Sequence, residues 1–341
     1  MDGDTDEGSS PSANRRRFAE AAREERPDLA LLCLLICVEA AQSPGPAAGL
    51  SPGRSRPGTP PARTADGAGE TATEGTEATE STGAAGAAEG IGGGGGADPG
   101  ARLVDTAQAE LDRLSGLLPY RRGRSPRQWA EALRHLLGTR LGFHGTAADY
   151  RRLDASLLDA VLRRRRGLPI LLSVVWTEVA RRAGAPVYGV ALPGHFVVGF
   201  GDPSGDHVLA DPFDGGSTLS DSGLDALVAG ATGGRGRVSA ASLQPAGPLE
   251  TVLRVLNNIR AWAGGRPEQS ATHLWAVELS LLLPHHPGRL RYERAQLLVE
   301  RGEFLRGARE MEEYAEVVAA MEPNAAETMR RAARAARARL N

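Results

Sequence analysis

His195 and Asp211 carry the strongest chemical signal in this 341-residue chain. His195 opens a strand-like run, His195–Phe200, directly after Pro193-Gly194. Asp211 follows the next such run, His207–Ala210. Two neighbouring antiparallel strands would set the imidazole beside the carboxylate. A carboxylate on one ring nitrogen fixes the tautomer and leaves the other nitrogen free as a base. Acyl-transfer chemistry then needs a nucleophile, and in the thiol version it stands at a helix N-terminus, where the dipole lowers the thiol pKa. Ser173 is one candidate, although a serine inside a helix ordinarily bonds the carbonyl four residues back. Cys33 and Cys37 are the only thiols. Their i, i+4 spacing among leucines places them on a buried helix face, not in a disulfide.

The elements that must position this pair are legible on either side of it. Gly167-Leu168-Pro169 starts a helix over Ile170–Ala183, since proline is favourable at the first helical position. That helix is apolar on most sides and ends at Gly184, so it is predicted to be central and buried. Strand-like runs at Val187–Leu192, His195–Phe200 and His207–Ala210 follow, with a turn at Gly201–Asp206. Asp211-Pro212 is also turn-prone. The fold class is α+β: a central helix on a small antiparallel sheet, then an α-helical tail.

These residues carry a resemblance. Arg166-Gly167-Leu168-Pro169-Ile170 with Leu172-Ser173, Gly189, Pro193-Gly194-His195-Phe196 and Asp211-Pro212-Phe213 resemble the SirB-type family of transglutaminase-like proteins. Gly142-Phe143-His144-Gly145, Asp149-Tyr150, Leu256–Arg260 and Arg291–Gly302 extend it. The resemblance implies a transglutaminase-like, papain-like core. It also implies that Gly167-Leu168-Pro169, with Gly184 fifteen residues on, keeps the spacing of the Gly-x-Cys that opens the catalytic helix. Pro169 therefore takes the nucleophile position, and His195 and Asp211 match the other two triad members. The chain departs from the family pattern at Ala155, in place of an asparagine that tightens a turn, and in a long insertion at 42–101.

The insertion is rich in Pro, Gly, Ala, Thr and Glu and is predicted to be disordered, because such a composition buries too little apolar surface to offset chain entropy. Residues 1–14 are predicted to be a disordered N-terminus. Residues 15–41 form a helix that docks on the core, interrupted near Pro27 with Asp28 as a cap. The core spans 102–248 and the tail 249–341. Tail helices are expected near 249–263, 268–283, 288–302, 305–320 and 324–340. Residues 291–323 read equally as one tetratricopeptide-like unit or as a plain α-hairpin.

Charge excludes little but points away from nucleic acid. The net charge is −2, and all forty basic residues are arginine. A basic stripe at Arg330, Arg331, Arg334 and Arg337 and the run Arg163–Arg166 read as solvated faces. No metal is expected at His285-His286, which lacks further ligands nearby, and no cofactor or phosphate loop is expected. The longest apolar run, Leu29–Val38, is too short to span a bilayer, and the acidic N-terminus is unlike a signal peptide. A cytoplasmic location follows as the expectation.

Three functions are compatible with these residues. The first is a non-catalytic regulatory or protein-interaction module, with a peptide or protein partner in a cleft around His195 and Asp211. The second is a hydrolase or acyl-transfer enzyme using those residues with water or Ser173. The third, a regulator contacting nucleic acid, has no recognition motif behind it.

Overall fold

A computed structural model describes residues 12–43, 98–234 and 238–340. Most of the N-terminal segment and of the insertion predicted to be disordered lies outside the described residues. The first helix nevertheless starts inside the predicted 1–14 stretch. Ser12 accepts from the backbone N–H of Arg15 and so caps α1 (Ala13–Ala21). Asp28 caps α2 (Leu29–Gln42) in the same way through Leu31. Helix α3 (Pro99–Gly116) resumes the chain, with Asp98 as its cap.

Helix α4 (Pro126–Leu133) opens with a capping box between Ser125 and Gln128 and runs on as a π-helix, Arg134–Arg140. Nothing in the residue pattern announces the π turn. Within it, Gly138 lies against the Gly215 carbonyl so closely that a β-carbon would stand 1.9 Å from it. Short 3-10 turns at Ala147–Arg151 and Leu153–Ser156 lead to α5 (Leu158–Arg164). Ala155 is fully buried, and its carbonyl accepts the Leu168 N–H at 2.9 Å, which ties this turn to the segment before the central helix.

Helix α6 (Pro169–Arg182) has Pro169 in its first turn and is buried along almost every face. It ends where Gly184 takes φ +84°, a conformation that suits glycine. The antiparallel sheet beside it has the order β4-β3-β2-β1-β5. Its strands are β1 (Val187–Val190), β2 (Val197–Gly201), β3 (His207–Asp211), β4 (Ser217–Leu219) and β5 (Pro245–Ala246). Residues alternate between its faces, as the strand period of two requires. Val198, Phe200 and Ala210 join the main core with α6. Val190, Val197 and Leu209 face the other way and meet Leu224 of α7 (Asp221–Thr232). The residue pattern does not reveal α7, which covers this outer face, nor the two short edge strands β4 and β5.

The tail helices are α8 (Pro248–Gly264), α9 (Ser270–Leu282), α10 (Arg289–Glu300), α11 (Phe304–Val318) and α12 (Pro323–Ala338). The expected boundary at 248/249 is not a break in packing. Val252, Val255, Leu256 and Ile259 of α8, with Trp275 and Leu279 of α9, belong to the same apolar core as α6 and α2. Beyond them α10–α12 pack through small residues, chiefly Ala295, Ala308, Ala333 and Ala336. The α10–α11 hairpin is what both readings of residues 291–323 required. Among the described residues no helix is long and apolar enough to cross a membrane.

Candidate functional site

His195 does not open β2 but sits in the tight turn that precedes it. Gly194 takes φ +70°, and the His195 N–H returns to the Leu192 carbonyl at 3.3 Å. Arg254 of α8 pins this turn from outside. Its guanidinium donates to the carbonyls of Leu192 and His195, at 2.8 and 3.3 Å, and lies over the Phe196 ring. Burial lowers the Arg254 pKa, with Glu250 partly opposing.

The antiparallel register brings the imidazole to the carboxylate. His195 Nε2 stands 3.0 and 3.1 Å from the two Asp211 oxygens. Both residues are buried, with exposures of 7% and 4%. Asp211 Oδ1 also accepts the Phe213 N–H at 2.9 Å, while the Asp211 carbonyl accepts from Gly216 at 2.8 Å. The carboxylate is thus held by the turn that follows it. With Nε2–H donating to Asp211, the proton is placed on that nitrogen, and Nδ1 is the nitrogen left with a lone pair.

An aromatic ladder leads from this pair to solvent. The Phe213 ring meets the His195 ring edge-to-face at 5.9 Å, and Tyr150 meets Phe213 at 6.0 Å. Tyr150 is half exposed. Burial raises its phenol pKa, and the negative charge of Asp211 adds to the rise. Gly145 makes the ladder possible: a β-carbon there would stand 2.0 Å from Phe213 ring carbons. In the sequence Tyr150, Phe213 and Gly145 stand only as parts of motifs, and no pattern singles out Arg254. Spacing along the chain carries no signal for contacts that join three separate segments.

The candidate nucleophiles are placed elsewhere or committed elsewhere. Pro169 is buried in the first turn of α6 and has no group to attack with. Ser173 is fully buried, and its hydroxyl donates to the Phe196 carbonyl at 3.2 Å instead of bonding back within its own helix. It fastens α6 to the residue after His195. Cys33 and Cys37 are buried in α2. Burial, with Glu178 and Asp28 adding, pushes the Cys33 thiol far up; burial and Asp159 do the same to Cys37. Neither thiol is poised to ionise near neutrality. Among the described residues no group of three His, Cys, Asp or Glu is arranged to hold a metal ion. In the last helix, Arg334 pairs with Glu327 at 2.9 Å and Arg337 with Glu312, which dilutes the basic stripe.

The core of the chain is similar to known proteins. Residues 102–257 match the family model of the transglutaminase-like superfamily. A UPF0162 protein of Xylella fastidiosa is 35% identical over 164 residues, which cover 47% of this chain and 58% of that one. Protein SirB1 of Salmonella typhimurium is 26% identical over 160 residues, covering 47% and 56%. The chain thus spans little more than half the length of these curated relatives. Among solved structures, one of menin that reveals the binding site for the Mixed Lineage Leukemia (MLL) protein covers 94% of this chain and 67% of that one. Its TM-score is 0.35 at 10% identity, too low to carry an argument. The match over the core, the SirB-type relatives and the antiparallel sheet beside α6 agree: residues 102–257 of this chain match a transglutaminase-like domain and are similar to the SirB-type proteins.

Proposed function

We propose that this protein is a non-catalytic member of its family that binds a peptide or protein segment at the surface around His195 and Asp211. One observation carries the reading: the helix that would present a nucleophile begins with buried Pro169. The covalent route of acyl transfer has no attacking atom at that position. Ser173 is spent on the Phe196 carbonyl, and the two thiols are buried. The His195–Asp211 pair then acts as an internal clasp, holding the turn before β2 to the end of β3. The aromatic ladder gives the clasp a solvent-facing end at Tyr150. A half-exposed tyrosine beside a rigid polar pair suits recognition, because it offers contact area at small entropic cost.

The hydrolase reading rests on Nδ1 of His195, the nitrogen left with a lone pair, activating a water. The two readings part in one assay. The intact protein is incubated with glutamine-containing and fluorogenic peptide amides, and ammonia or fluorophore release is followed. The expected result is no turnover above buffer. Turnover that is lost in His195→Ala sinks the non-catalytic reading. In parallel, peptides selected on the immobilised protein are expected to bind Tyr150→Ala at least tenfold more weakly than the native chain.

A further inference from the structure

A groove of about 810 Å³ lies between α3 and α5, away from the His195–Asp211 pair. That volume falls within the range of small-molecule sites. Along α3 its lining runs from Pro99 to Arg113, a length of roughly 21 Å at 1.5 Å per residue. Leu103, Ala107 and Leu162 form an apolar floor. Both walls are helices, so the groove presents mostly side chains. An alkyl chain, with no polar group to satisfy, fits such a surface better than an extended peptide.

The rim carries uncompensated positive charge. Four arginines and two carboxylates line the groove. Both carboxylates are taken: Glu110 by Arg113 and Asp159 by Arg163, each at 2.6 Å. Arg102 and Arg165 are left without a carboxylate among the described residues. Arg165 has a further peculiarity. At φ +58° it is the one non-glycine residue with positive φ among the described residues, and it ends α5 where glycine is the usual choice. A strained backbone that carries a long charged side chain points to a use for that side chain. Its guanidinium makes one bond, to the Leu141 carbonyl at 2.9 Å, which leaves most of its donors open. The Glu110 carboxyl is drawn below its ordinary range by Arg113 first and also by the charge of Arg165, which places Arg165 within electrostatic reach of α3.

We propose that the α3–α5 groove binds a free long-chain carboxylate, its head at Arg165 and its chain along Ala107, Leu103 and Leu162. The test uses the full chain and the fluorescent probe 11-(dansylamino)undecanoic acid, with palmitate as competitor. Saturable binding that palmitate displaces and hexadecanol does not is the expected result. Arg165→Glu should weaken it at least tenfold. Arg165→Gly should weaken it as well while raising the thermal unfolding midpoint, because glycine relieves the backbone; lost binding then cannot be blamed on unfolding. The proposal is overturned by absence of saturable binding, by Arg165→Gly binding like the native chain, or by hexadecanol competing as well as palmitate. Binding to phosphatidylglycerol vesicles that palmitate fails to reverse would also overturn it, since the head group would then belong to a membrane lipid.

Discussion

At the scale of single residues, Asp211 is the most heavily used group near the candidate site. It accepts from His195 Nε2 and from the Phe213 N–H at once. Asp211→Ala strands both donors, and a buried donor without a partner costs about 1–3 kcal/mol. Urea unfolding should therefore show a loss of roughly 2–4 kcal/mol, with Asp211→Asn less damaged because it keeps an acceptor oxygen. The His195–Asp211 meeting could be read from the chain, because two strands and a turn of known length leave little freedom in register. Arg254 could not. Its contact with the His195 turn crosses 59 positions and depends on how α8 packs, which no local pattern encodes. Ser173 was legible as a helical serine but not as a tie to Phe196, since that choice depends on which strand end lies beside the helix.

At the scale of elements, the proposed function makes α6 the counterpart of a catalytic helix that starts with Pro169 in place of a nucleophile. Replacing the first residue tests this directly. In Pro169→Cys the new thiol stands in the first turn of α6, where the helix field favours a thiolate. Burial at this position works against the field, so a pKa below the ordinary cysteine value of about 8.5, the expected result read from ultraviolet thiolate absorbance as pH is raised, means that the field outweighs burial. The two native thiols leave the neutral range clear, because burial holds them protonated there. An ordinary or raised value would show that α6 no longer presents an activating site. Long periodic helices and the three longer strands were readable from apolar spacing. Helix α7 was not, because Gly223 and Gly230 break its pattern and its apolar face is narrow. Nor was β5, whose two residues include a proline and exist as a strand only because β1 offers an edge.

At the scale of the whole molecule, ion pairs tie successive tail helices together. Glu293 of α10 accepts from Arg260 of α8 and, at 2.8 Å, from His273 of α9. Burial pushes its carboxyl up, but the bonds from His273 and Arg260 outweigh this, and the pKa ends below its ordinary 4.5. A carboxyl depressed in the folded state adds stability above its unfolded pKa and loses it as pH falls through the folded value. The tail should therefore loosen as pH drops below about 4.5. Thermal melts across acid pH should show Glu293→Gln less stable near neutrality, with a shallower acid decline than the native chain. Arg15 makes a comparable tie from α1 to Glu278 of α9, at 2.7 Å, so the N-terminal helix is held to the start of the tail. Arg254 gives this arrangement a thermodynamic reciprocity. Its grip on the carbonyls at the His195 turn means that a binder favouring the gripped state must, by the same free energy, quiet α8. Slowed amide exchange in α8 would then register occupancy at His195 before the occupant itself had been identified.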